Sequence, residues 1–137
     1  LIHSAQRSGA PLSLLFIDLD EFKRINDTRG HIEGDRVLRA FAEDVEARIR
    51  PEDLLARVGG DEFVLVMPGT NAEEAEAAAL RLHGMIGVAA WSHGVAERLP
   101  GESADELIAR ADRGMLEMKG KGRPLRSGDD AADRMSA

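Results

Sequence analysis

Apolar positions along the chain follow two different periods. Leu12-Ser13-Leu14-Leu15-Phe16-Ile17 is a nearly continuous apolar run. Such a run reads as a central strand buried on both faces, since a one-sided strand would alternate. It ends at Asp18-Leu19-Asp20. Glu21 to His31 is mixed, with Asn26-Asp27 and Gly30 as turn signals. A helix is predicted from Asp35, because Val37, Phe41, Val45 and Ile49 recur every four residues beside Leu38, with charge elsewhere. Pro51, which has no N–H to donate, ends it. Leu54 to Val58 and Phe63 to Met67 read as two strands joined through Gly59-Gly60-Asp61-Glu62. Paired glycines between apolar runs predict a tight hairpin that uses their access to positive φ. Asn71 with Glu74 makes a capping-box start for a helix from Ala72 to about Ile86. Val88 to Val95 reads as another strand. Ser103 with Glu106 makes a second capping box, and the helix behind it runs to Met118 with Leu107, Ala111, Met115 and Met118 on one face. Gly114 inside that helix costs about 1 kcal/mol relative to alanine. Leu1 to Gly9 reads as the end of a helix stopped by Gly9 and Pro11.

The order from Leu12 to Val95 is strand, helix, strand, strand, helix, strand. That is a ferredoxin-like βαββαβ core, followed by an extra C-terminal helix; the class is α/β in content, α+β in arrangement. In its antiparallel sheet the first strand lies beside the third. The end of the first strand, at Asp18, then adjoins the turn that carries Asp61 and Glu62.

The chain has 137 residues, which fits one domain, and a 43% hydrophobic share supplies a core. The expected boundaries are a domain over 1–126, truncated at its N-terminal side, and a disordered tail over 127–137. A net charge of −7 and a pI of about 5.1 argue against a general nucleic-acid binder. A polyanionic ligand therefore needs cations supplied locally, as metal or clustered lysine and arginine. There is no cysteine, which excludes disulfides, thiolate metal sites and cysteine nucleophiles. No apolar run approaches the ~20 residues of a membrane span. A cytoplasmic domain is expected, or the cytoplasmic portion of a membrane-tethered parent, with no membrane contact of its own.

Adjacent carboxylates on a turn repel, and a bound cation relieves the repulsion. Asp18, Asp61 and Glu62 converging on one sheet rim suit Mg²⁺, a hard cation that keeps several waters and binds substrate phosphates. Alone, Asp18-Leu19-Asp20 is equally a solvated strand end, and the Gly59–Glu62 stretch a charged hairpin. No phosphate-binding G-x-x-x-x-G-K-[ST] stretch and no H-E-x-x-H helix is present.

Gly59-Gly60-Asp61-Glu62-Phe63 resembles the name motif of the GGDEF family of diguanylate cyclases. The resemblance extends through Phe16 to Lys23, Ile25-Asn26-Asp27-Thr28, Gly30-His31, Gly34-Asp35, Arg57 and Ala111-Asp112. It implies that Asp18 and Asp61 bind Mg²⁺ by side chain and Leu19 by its carbonyl. Glu62 would be a second metal ligand or proton acceptor. Asn26 and Asp35 would read the guanine edge, whose N1–H and N2–H₂ donors match an acceptor-only carboxylate. Lys23, Lys119 and Arg123 would hold the triphosphate. His31 would lie near the base or close the loop; a satisfied structural histidine is the other reading. Arg50-Pro51-Glu52-Asp53 matches the family's R-x-x-D inhibitory site for cyclic di-GMP, with Arg81 as a second arginine from a partner domain; a helix-stop loop is the alternative.

The implied activity is condensation of two GTP into cyclic di-GMP and two pyrophosphates. It would be carried out by a homodimer under an upstream sensor, with product feedback. The alternative is a catalytically silent module that binds GTP or cyclic di-GMP. A palm-like transferase acting on nucleic acid is disfavoured by the acidic charge. Departures from the family pattern are Arg29 for an aromatic, Gly114, Leu116, Met118 and Pro124, and a stretch between Arg81 and Ser92 that is short by a strand or hairpin.

Overall fold

The computed structural model describes Ile2 and residues 9–121. The apolar run forms β1 (Leu12–Leu19), an interior strand paired along both edges. β2 (Leu54–Arg57), β3 (Glu62–Pro68) and β4 (Trp91–Glu97) complete one sheet in the order β2-β3-β1-β4. Every neighbouring pair is antiparallel. This is the ferredoxin-like topology expected from the chain order. β1 is central, and it is buried because both of its faces are covered. Leu15, Ile17 and Leu19 face one helical layer, while Leu12, Leu14 and Phe16 face the other.

Among the described residues four helices cover the sheet: α1 (Phe22–Arg29), α2 (His31–Glu46), α3 (Ala72–Met85) and α4 (Ala104–Lys121). α2 brings Val37, Leu38, Phe41 and Val45 onto the first face, and α3 brings Ala75, Ala78, Ala79 and Leu82. α4 covers the second face with Leu107, Ala111 and Met115. Both predicted capping boxes form: Asn71 Oδ1 accepts from Glu74 N–H, and Ser103 Oγ from Glu106 N–H.

Several local expectations are corrected. Residues 22–29 are helical rather than a mixed turn region, with Phe22 buried beneath. Gly30, at φ 90° and ψ 164°, breaks the helical path, so α2 starts at His31 and not Asp35. α2 ends at Glu46, before Pro51; Ile49 packs on the core from beyond the helix. β4 runs three residues later than expected at its start, and residues 86–90 alone connect it to α3. Its register is set by pairs from Ser13↔Glu97 to Leu19↔Trp91. Neither Gly59 nor Gly60 adopts a positive φ. A Cβ at Gly59 would stand 2.2 Å from Glu62 Oε1, the movable end of that side chain.

Candidate active site

Register builds the acidic rim. Asp18 pairs with Glu62 on β3 and with Ser92 on β4, so the three stand in one row across the sheet on the α4 face. Leu19 N–H donates to the Asp61 carbonyl at 3.0 Å, which fastens the β2–β3 turn to the end of β1. Arg57 holds the turn from its other side. Its Nε donates to the Gly59 and Gly60 carbonyls at 3.0 and 3.1 Å, and its Nη2 donates to Gly60 at 2.6 Å.

α4 delivers a cation to this row. Lys119 Nζ lies 2.6 Å from Asp18 Oδ2 and 3.6 Å from Asp20 Oδ1. Ser92 Oγ donates to Asp20 Oδ1 at 2.9 Å. Burial pushes the Asp61 carboxyl above its usual range, and neighbouring Asp18 adds to the push while Lys119 opposes it. Glu62 is raised for the same first reason, then by Asp18, Asp61 and Asp112. Asp18 Oδ1 is buried and accepts no hydrogen bond. Among the described residues no three acidic or histidine side chains converge at metal-ligand distance. The candidate set is thus two carboxylates, Asp18 and Asp61, with the Leu19 carbonyl. A buried acceptor without a donor, beside a carboxyl raised by burial and by its neighbour, fits a hard cation with water completing its shell.

The structure joins the two predicted base-reading residues through Gly34. A Cβ at Gly34 would fall 1.8 Å from Asn26 Oδ1 and 3.2 Å from Phe22 Cζ, so Asn26 is seated directly against α2, one residue before Asp35. Asp35 is exposed and lines a cleft of about 430 Å³ with Leu38, Arg39, Arg57 and Phe63. Lys23 is exposed in the first turn of α1. That helix start has no side-chain cap, leaving its first N–H groups available to an anion. Glu21, at φ 59° and ψ 23°, is a non-glycine residue in the left-handed region, at the corner between Asp20 and α1. His31 is exposed at the start of α2. Arg123 lies outside the described residues.

At the opposite end of β2, Arg50 grips its own loop. Its Nη2 donates to Asp53 Oδ1 at 2.9 Å, to the Pro68 carbonyl at 3.0 Å and to Thr70 Oγ1 at 2.8 Å. Arg81 of the same chain lines one cavity of about 120 Å³ with Arg48, Arg50 and Asp53. The expected partner-domain arginine therefore already stands beside this loop in its own domain. Ser92, Glu21, Gly34 and the Arg57 clamp were not singled out as site residues by sequence reasoning. Glu21, Gly34 and Arg57 fall within the motif series of the resemblance, while Ser92 carried no local signal.

An antiparallel sheet in this order, helices on both faces and a carboxylate rim at one end define a palm-like α/β domain. The chain belongs to the GGDEF family: residues 1–124 match the family described as diguanylate cyclase, GGDEF domain. It is 39% identical to the response regulator PleD of Caulobacter vibrioides over 90% of this chain and 30% of that protein. It is 37% identical to diguanylate cyclase DgcZ of Escherichia coli over 85% of this chain and 44% of that one. The chain thus spans less than half the length of these relatives. The GGDEF domain of DgcB from Caulobacter crescentus, solved in complex with c-di-GMP, superposes with a TM-score of 0.82 at 31% identity, covering 89% of this chain and 80% of that one. The active GGEEF domain of a Vibrio cholerae diguanylate cyclase superposes with a TM-score of 0.80 at 30% identity, covering 89% and 85%.

Proposed function

We propose that this domain is a diguanylate cyclase that joins two GTP into cyclic di-GMP in the cytoplasm. Each domain holds one GTP, and two domains meet as a homodimer. The 3′-hydroxyl of one nucleotide attacks the α-phosphorus of the other. The bond from the α-phosphorus to the bridging oxygen breaks, and pyrophosphate leaves; a second such step closes the ring. The observation that carries this reading is the pairing of Asp18 with Glu62, fastened by the Leu19 N–H bond to Asp61.

Asp18 and Asp61, with the Leu19 carbonyl, would hold Mg²⁺. When bound, that ion supplies charge stabilisation to the phosphoryl oxygens. Asp35 and Asn26 accept from the guanine edge beside the 430 Å³ cleft. Lys23 and the uncapped start of α1 receive phosphate oxygens. Lys119, now on Asp18, moves its charge to the triphosphate. Glu62, whose raised carboxyl is a better proton acceptor than an ordinary one, takes the hydroxyl proton. The Arg50–Asp53 loop, with Arg81, binds the product and gives feedback.

A second reading is a silent module that binds GTP or cyclic di-GMP without turnover. One observation favours it: Lys119 already neutralises Asp18. The deciding test is incubation with GTP and Mg²⁺ and assay of cyclic di-GMP across protein concentration. Turnover per protomer is expected to rise with concentration, because two half-sites must meet. Asp61→Ala is expected to lose more than nine-tenths of turnover with its fold intact. Nucleotide binding without product at any concentration would establish the silent module instead.

A further inference from the structure

On the sheet face opposite the carboxylate row, three titratable side chains form a continuous hydrogen-bonded chain. His93 on β4 is buried, 4% exposed. Its Nε2 lies 2.9 Å from Glu76 Oε1, and its Nδ1 lies 2.9 Å from His83 Nε2. Glu76 and His83 both come from α3, so His93 is held between two points of one helix. The His83 ring lies over Trp91, with centroids 3.5 Å apart and planes 8° from parallel. Trp91 packs edge-on to Phe41 of α2, and Phe41 packs on Phe63. Ser92, between Trp91 and His93, bonds Asp20, so this strand also borders the carboxylate rim.

We propose that Glu76, His93 and His83 form a proton-sensing brace between α3 and β4, which takes up a proton at His83 and is weakened by it. Hydrogen-bond chemistry orders the protons along it. An ionised carboxylate only accepts, so His93 Nε2 carries a proton and donates it to Glu76. Neutral His93 Nδ1 is then bare and accepts from His83 Nε2–H. The next proton enters from solvent at the remaining nitrogen, His83 Nδ1. Three titratable groups face His83: Glu76 on its own helix, His93 on β4 and Asp20 beyond β1. Burial and His93 hold its protonation down, while Asp20 and Glu76 oppose them. The brace does not depend on the nucleotide chemistry proposed for the other face.

Trp91 is the single tryptophan of the chain, so its emission reads the charge on the ring stacked above it. The experiment follows tryptophan emission, far-UV ellipticity and melting temperature of this chain from about pH 8 to about pH 5. Emission is expected to fall, by imidazolium quenching, with a midpoint below the usual histidine value of ~6.5. The folded midpoint is depressed relative to the unfolded chain. Stability from the brace is therefore complete above about pH 6.5 and is lost as pH falls through the midpoint, and the melting temperature falls with it. His83→Phe keeps a stacked ring without its titration, and most of the emission change is expected to disappear. Glu76→Gln keeps the acceptor but removes its charge from an exposed position, so the midpoint is expected to move lower. Flat wild-type emission with native ellipticity would overturn the brace. So would a full-amplitude transition in His83→Phe, an unmoved midpoint in Glu76→Gln, or ellipticity lost ahead of emission.

Discussion

Asp35 stands exposed at the mouth of its cleft, and Asn26 is pressed against the same helix because Gly34 has no side chain. Two acceptors in that arrangement suit guanine, which offers donors on its Watson–Crick edge, and not adenine, which offers a donor and an acceptor there. A hydrogen bond to a charged group contributes roughly 1.5–3 kcal/mol. Asp35→Ala is accordingly expected to weaken GTP binding by about 10- to 100-fold and to change ATP binding far less. Titration calorimetry with both nucleotides checks this, and equal losses would remove Asp35 from base recognition. The residue types of this site were legible in the chain, since carboxylates and glycines at ordered spacing have few other uses together. Lys119 on Asp18 was not readable from spacing, because 101 residues separate the two and only the packing of α4 brings them together.

Among the elements, α4 shows how backbone proximity decides what a glycine does. It lies so close to β4 that a Cβ at Gly94 would meet the Ala111 carbonyl oxygen at 2.1 Å and Met115 N at 2.2 Å. Those are backbone atoms, so the whole helix would have to move. Gly94→Ala is expected to cost about 3 kcal/mol or more, read in urea unfolding. Gly114 faces the same strand, but its added Cβ would find its nearest atoms at 3.7–3.8 Å, an ordinary contact. Gly114→Ala is expected to stabilise by about 0.5–1 kcal/mol, by removing the helix-interior cost of glycine. Sequence reading recognised that cost; it did not find Gly94, because closeness between a strand and a helix leaves no local pattern. The loop into α4 carries a charged clasp. Glu102, with its side chain buried, accepts from Arg110 Nε at 2.6 Å, from Arg110 Nη2 at 2.9 Å and from Leu99 N–H at 3.0 Å. The Arg110 hydrogen bonds hold its carboxyl down to about 2, from an ordinary 4.5. A depressed carboxylate stabilises the fold above its unfolded value, and the contribution is lost as pH falls toward the folded one. Between pH 4.5 and about 2 the wild type is expected to lose this contribution, and Glu102→Gln, already without it, to show a shallower acid limb in melting temperature.

Across the whole molecule, β2 separates two sites. The acidic rim lies at its Arg57 end and the Arg50–Asp53 loop at its Leu54 end. At about 3.3 Å per residue the strand keeps them more than ~10 Å apart. On the proposed function, a product bound at the loop would inhibit without entering the nucleotide site of the same domain, most simply by holding two domains so that their rims cannot meet. Arg50 also has structural work, since it ties Asp53, almost fully buried, to the end of β3 through Pro68 and Thr70. Arg50→Ala is expected to raise the inhibition constant for cyclic di-GMP at least about tenfold, near 1.4 kcal/mol. It is also expected to lower stability by about 1–3 kcal/mol and to leave the initial rate on GTP nearly unchanged. Initial velocity against added product, with a denaturation curve on the same sample, checks both. Unchanged inhibition would leave the loop a structural stop alone.

Legible in the chain alone were the order of the strands, the two capping boxes, the central strand and the ordered motif series of the family. These are short-range properties: period, cap chemistry and residue type act over a few positions and need no distant partner. Tertiary structure alone decided that residues 22–29 are helical, where Phe22 gains burial against α2 at the cost of weak local signals. Chain order already put Asp18 beside Glu62; packing added Ser92 to that row, brought Lys119 onto Asp18 and stacked the histidine chain on Trp91. Each of those depends on which strand lies beside which, and on how closely a helix settles, a choice made by the packing of both sheet faces together.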